Sequence, residues 1–308
     1  HRLASADIKA IIASDEDALK VETAVNNSSA NPILILVGES NPPIPPLVKG
    51  GKGGLYGERQ GWHNYIKERD TADAFEGEST FSSEPALIYF TSGTTGPPKM
   101  VLHTQASYPF AHLITGKYWL DLKPGDIHWN LSDPGWAKAA WSSLFGPWHM
   151  GAAIFSFYRK GKFDPSLTME ILQKYPITTF CGPPTAYRMM VKEIQSRNLF
   201  GTKFKFKSAR HFVAAGEPLN KEIIEIWKER TGMYIYDGYG QTETVNILAN
   251  FRCLPVKPGS MGVPVPGFSV DIIDDSGNTA TLNTEGDIAI KIKPERPVGI
   301  FKEYLGNP

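Results

Sequence analysis

Cys181 and Cys253 are the only cysteines in the sequence. Two are too few for a disulfide framework, and neither is grouped with histidines at zinc-site spacing. A reducing compartment follows. Net charge is also missing: 32 Lys and Arg balance 32 Asp and Glu, so no overall field draws the chain onto nucleic acid or an anionic membrane. Long apolar runs are absent. Ile33 to Val37 is typical of those present, far below the ~18–20 residues that cross a bilayer, and no charged-then-apolar signal pattern opens the chain. No internal repeat is found. What is there is ordinary globular material, with 41% hydrophobic residues, which excludes disorder. The 29 Gly and 24 Pro exceed the average share without reaching low complexity and imply many sharp loops. At 308 residues, about twice the usual ~150 per domain, the chain makes one large multilobed domain or two small ones.

Ile8 to Ala13 reads as a buried strand, Asp15 to Val25 as a short helix and Ile33 to Val37 as a second strand, together a βαβ unit. Asn41 to Gln60 is rich in Pro-Pro and Gly-Gly pairs and reads as a surface excursion. Beyond Pro85 short apolar strands recur at Ala86–Phe90, Ile127–Leu131, Ala152–Phe157, Ile177–Cys181 and Phe212–Ala215. Helices separate them. One is capped by Asp164 with Pro165 in its first turn, and another is capped by Asn220 and ended by Gly232. This alternation predicts an α/β fold, a mainly parallel sheet with helices on both faces, with ligands at the carboxyl ends of the strands. After Arg252, Val270–Ile273, the turn at Asp275 to Asn278 and Asp287–Ile292 predict the start of an antiparallel β lobe.

Three segments that follow strands carry the chemistry. Thr91-Ser92-Gly93-Thr94-Thr95-Gly96-Pro97-Pro98-Lys99 presents hydroxyls, backbone N–H groups and one cation suited to phosphate oxygens. It is not the NTPase P-loop, because the glycine spacing differs and Met100 follows Lys99. Asp237-Gly238-Tyr239-Gly240-Gln241-Thr242-Glu243 offers two glycines for close backbone approach, a flat ring for a base, and a hard oxygen ligand for Mg²⁺. Taken alone, a plain strand-to-helix turn is the better explanation of it. Ala214-Ala215-Gly216-Glu217-Pro218 again follows a strand. Trp136 is either part of a ligand pocket or a core residue of the amphipathic helix that carries Trp141 and Leu144. His103 and Cys181 read as structural residues, and Lys203, Lys205 and Lys207 as the solvated face of an exposed strand alternating with Phe204 and Phe206.

Together the three segments resemble the adenylate-forming enzymes, which include acyl-CoA synthetases, peptide-synthetase adenylation domains and firefly luciferase. Glu84 to Phe90, Ser132-Asp133-Pro134-Gly135-Trp136, Gly240 to Thr244 and Lys293 to Phe301 narrow the resemblance to medium-chain acyl-CoA synthetases. It implies one incomplete AMP-binding amino-terminal domain. Residues 1–84 would be a partial α/β lobe with a Pro- and Gly-rich insertion, 85–254 the ATP- and acyl-binding lobe, and 255–308 the start of a β lobe. The ribose-binding Asp, the hinge and the carboxyl-terminal domain with its catalytic Lys are expected beyond Pro308.

By the same resemblance, Thr91 to Lys99 would hold the β- and γ-phosphates of ATP, and Gly216, Glu217 and Pro218 would line the adenine pocket. Tyr239 would stack on the base, Thr242 would touch the α-phosphate, Glu243 would bind Mg²⁺, and Gly135 and Trp136 would bound the acyl pocket. The implied reaction joins a carboxylic acid to coenzyme A through an acyl-adenylate, in the cytoplasm or the mitochondrial matrix. The alternative is a nucleotide-binding protein of this fold without catalysis.

Overall fold

The computed structural model describes residues 2–38, 59–91, 98–158, 161–196 and 205–306. The chain divides into two compact units, His1–Ser79 and Thr80–Pro308.

In the first unit the strands Ala10–Ser14 and Ile33–Val37 pair in parallel across the helix Ala18–Asn26, the βαβ unit that the sequence predicts. The first strand is not buried as expected. It alternates between half-buried and exposed positions, and Ile12 is 63% exposed. A short strand, His63–Asn64, extends the sheet in parallel, and the Asn64 side chain caps the helix Tyr65–Thr71 by accepting from Lys67 N at 3.1 Å. Most of the Asn41–Gln60 stretch lies outside the described residues.

The second unit is built on a seven-stranded sheet. Its spatial order is Val263–Pro264, Asn246–Ala249, Ile235–Gly240, His211–Ala215, Thr179–Gly182, Ile127–Asn130 and Ala153–Ile154. The last five run parallel to one another, and the first two pair antiparallel. Because strand side chains alternate, Phe180, Phe212 and Ala214 face one core while Cys181, Val213 and Ala215 face another. The helices Pro165–Lys174, Pro184–Ser196 and Lys221–Thr231 close the first core through Leu172, Tyr187, Met190, Ile224 and Trp227. Trp119 and Leu120, at the end of a π-helical turn, help close the second. Asp164 caps its helix as predicted, and Gly232 ends another at φ +80°. Asn220 makes no side-chain cap bond. Val270–Ile273 and Asp287–Ile290 form the expected antiparallel pair.

Three further expectations fail. Pro85–Thr91 is not a parallel strand: it pairs antiparallel with Lys99–Thr104, which in turn pairs with Glu303–Tyr304. The link from Thr91 to Lys99 is far shorter than the dozen or so residues that a parallel crossover needs. Asp237 to Gly240 is not a turn into a helix but the end of a strand, which turns back antiparallel into Asn246–Ala249. Residues 205–207 form no strand, although Phe206 is still half-buried against Trp227 between two exposed lysines.

Candidate active site

The parallel strands end side by side, with Gly182 opposite Ala214, and Gly238 opposite Ala215. Ala214–Pro218 and Asp237–Glu243 therefore emerge together at the carboxyl edge of the sheet, where ligands gather in this architecture. Gly216 sits at φ +106° with open space where a Cβ would stand. Its neighbours Glu217 and Pro218 are exposed. The Glu217 carboxylate is engaged by Arg188 Nη2 at 2.7 Å and Thr185 Oγ1 at 3.1 Å. Tyr239 is half-buried, and burial raises its phenol pKa.

The glycines at 238 and 240 have a different reason from the expected one. A Cβ on Gly238 would stand 2.8 Å from the Trp119 ring, and one on Gly240 would stand 2.3 Å from the Val245 carbonyl oxygen. Internal packing takes up the space that close ligand approach was expected to need. Asp237, just before Gly238 on the same strand, is only 5% exposed, with Oδ1 accepting from Gly238 N at 3.0 Å. Burial pushes its carboxyl up to about 7, against the opposing influences of that N–H and the Lys138 charge.

The phosphate-type segment is seen from its two ends. Thr91 and Lys99 stand opposite each other in an antiparallel register, and Ser92, Gly93, Thr94, Thr95 and Gly96 between them lie outside the described residues. His103, on the same strand as Lys99, is buried. Its Nε2 donates to the Thr242 carbonyl at 2.7 Å, and its Nδ1 accepts from the Ser107 hydroxyl at 3.1 Å. A carbonyl can only accept, which fixes the tautomer. Burial lowers the His103 pKa and keeps the ring neutral. As expected, this histidine is structural, and what it joins are the Lys99 strand and the turn Gln241 to Thr244.

Tyr304 makes a second bridge. Lys99 Nζ lies 4.8 Å from its ring centroid, and its hydroxyl donates to Glu243 Oε1 at 2.8 Å. The Glu243 carbonyl also accepts from Phe301 N at 2.8 Å. Burial, and then the Glu243 carboxylate, push the Tyr304 phenol up to about 12. Sequence reasoning missed this residue, since the recognisable stretch ends at Phe301 and nothing local links position 304 to positions 99 and 243.

At Gly135 and Trp136 the two sequence alternatives separate. Trp136 is 68% exposed at the start of the helix Ala137–Ala140, whereas Trp141 is 4% exposed in a π-helical turn. Trp136 is not a core residue. Asp133 Oδ1 holds the turn by accepting from Gly135 N at 2.8 Å. Lys138, also missed, donates from Nζ to the Ala215 carbonyl at 2.6 Å and so ties the tryptophan turn to the strand ends.

Residues 1–305 match the AMP-binding enzyme family. The chain is 48% identical over 252 residues to the acyl-coenzyme A synthetase ACSM3, mitochondrial, of Rattus norvegicus, covering 81% of this chain and 42% of that protein. It is 41% identical over 312 residues to ACSM4, mitochondrial, of Homo sapiens, covering all of this chain and 49% of that one. The chain thus spans about half the length of the curated relatives it matches. An acyl-CoA synthetase from Brucella canis superposes with a TM-score of 0.80 at 26% identity, covering 98% of this chain and 51% of that one. With a match of this extent, on a sheet whose strand ends gather the motif residues, the chain belongs to the AMP-binding enzyme family.

Proposed function

We propose that the protein is an ATP-dependent acid–thiol ligase that activates a medium-chain carboxylic acid as its acyl-adenylate and then transfers the acyl group to coenzyme A. The observation that carries this reading is the convergence of Lys99 and Glu243 on Tyr304, together with the strand ends that set Gly238 opposite Ala215, the residue before Gly216. A cation and a carboxylate meet at one end of the site, and an open glycine backbone with an aromatic face lies at the other. That polarity suits a nucleoside triphosphate. Thr91, Ser92, Gly93, Thr94, Thr95, Gly96 and Lys99 hold the β- and γ-phosphates. Thr242 meets the α-phosphate, Tyr239 stacks on the base, and the backbone of Gly216, Glu217 and Pro218 lines the adenine. Asp237, Gly238, Gly240 and Gln241 shape the strand end and turn that carry these groups.

The donor set also fits Mg²⁺. Among the described residues no three His, Cys, Asp or Glu side chains gather into a cage, and Glu243 keeps one carboxylate oxygen clear of the Tyr304 bond. One protein carboxylate plus substrate phosphates is the usual way this ion is held, and when bound it neutralises charge on the phosphates. The substrate carboxylate attacks the α-phosphorus and pyrophosphate leaves. No strong general base is required, only alignment and charge neutralisation, which Lys99 and the hydroxyls supply. The coenzyme A thiol then attacks the acyl carbonyl and AMP leaves. Gly135 and Trp136 bound the acyl chain. A mitochondrial location is in keeping with the relatives, which are named mitochondrial. Among the described residues no helix is long and apolar enough to cross a membrane.

The test is acid-dependent incorporation of radiolabelled pyrophosphate into ATP by the full-length protein. Exchange that rises with a medium-chain acid is expected. Release of ADP and phosphate instead of AMP and pyrophosphate would refute the reading.

A further inference from the structure

Tyr304 touches both charged groups of the proposed phosphate end. Its two-residue strand, Glu303–Tyr304, adds to the edge of Lys99–Thr104 with Tyr304 opposite Val101. From there the ring lies 4.8 Å from Lys99 Nζ, while the hydroxyl donates to Glu243 Oε1 at 2.8 Å. Resting on the proposed ligase function, we infer that Tyr304 is a positioning residue, whose hydroxyl directs the second oxygen of Glu243 toward the cation accompanying ATP and whose ring holds the Lys99 ammonium beside the same phosphates.

The chemistry of the three groups supports the assignment. A carboxylate that accepts one fixed hydrogen bond, and whose own backbone carbonyl is held by Phe301 N, presents its remaining oxygen in a restricted direction. An ammonium has three donors, and a ring face engages only one side of it, so the other donors stay available to phosphate. The two contacts are separable, because phenylalanine keeps the ring and removes only the oxygen.

The experiment measures ATP binding to the full-length protein by calorimetry, without metal and across a Mg²⁺ titration, for the wild type, Tyr304→Phe and Tyr304→Leu. Tyr304→Phe should leave metal-free ATP affinity within about twofold and raise the Mg²⁺ concentration for half-maximal enhancement roughly tenfold, the size of one hydrogen bond to a charged group. Tyr304→Leu should share that defect and also weaken metal-free ATP roughly threefold through loss of the cation–π contact. A wild-type Mg²⁺ midpoint in Tyr304→Phe overturns the inference, as does an equal loss of both affinities in both variants. If Tyr304→Leu does not fold, Tyr304→Phe decides alone. Wild-type protein that binds no ATP would sink the reading of the whole site, an outcome that needs no variant to be seen.

Discussion

The buried acid at the strand end should show itself in the pH dependence of stability. Asp237 is 5% exposed, and burial pushes its carboxyl from the ordinary 3.8 to about 7 despite one backbone N–H and the nearby Lys138 charge. The native state therefore holds this proton more tightly than the unfolded chain does. Below pH 3.8 the group is neutral in both states and costs nothing. As pH rises from about 4 to about 7 the unfolded chain ionises first and stability falls, and above about 7 the loss is complete. At 1.36 kcal/mol per pH unit the full loss is on the order of 4 kcal/mol. Asp237→Asn keeps an acceptor for the Gly238 N–H and removes the ionisation. Its advantage over the wild type should be about 2–3 kcal/mol larger at about pH 8 than at about pH 5. Urea unfolding of the two proteins at both pH values, followed by tryptophan fluorescence, gives the difference directly. An advantage that is the same at both pH values, or larger at the acid one, would refute the reasoning.

Three further outcomes are expected. Lys99→Ala should slow adenylation roughly 10²–10³-fold, as deleting one group aimed at developing charge usually does, with the thermal midpoint unchanged; pyrophosphate exchange at saturating ATP checks it. Trp136→Ala should leave stability nearly untouched, because the ring is 68% exposed, yet shift the preferred acid length. Each methylene buried is worth about 0.8 kcal/mol, roughly fourfold, which a series of kcat/KM values against chain length resolves. Arg210 pairs with Asp121 and with the buried Asp126 on the opposite, amino-terminal edge of the sheet. Arg210→Leu should cost about 3–5 kcal/mol by leaving Asp126 unpaired, measured by urea unfolding, and the loss should shrink at acid pH, where that carboxylate takes up a proton.

Features encoded within about ten residues are legible in the sequence alone. The Asp164 cap, the first-turn Pro165 and the Gly232 stop each act on their own helix, and the apolar runs at Ile33–Val37 and Phe212–Ala215 need only their own composition to read as strands. The alternation of strand and helix then suffices for a mainly parallel sheet with its ligand edge at the carboxyl ends. What escapes is set by partners distant in sequence. Pro85–Thr91 looks like its parallel neighbours, and only the antiparallel register of Thr91 with Lys99 distinguishes it. Two tryptophans five positions apart look alike until packing buries Trp141 and leaves Trp136 in the open. Gly238 and Gly240 suggest room for a ligand, whereas Trp119 and the Val245 carbonyl occupy that room. Lys138 reaches the Ala215 carbonyl, and Tyr304 reaches Lys99 and Glu243, across gaps of 77 and 61 residues for the two hydrogen bonds concerned. Propensity and periodicity are properties of a segment, while pairing, burial and long-range hydrogen bonds belong to the folded chain, and it is these that assemble the site.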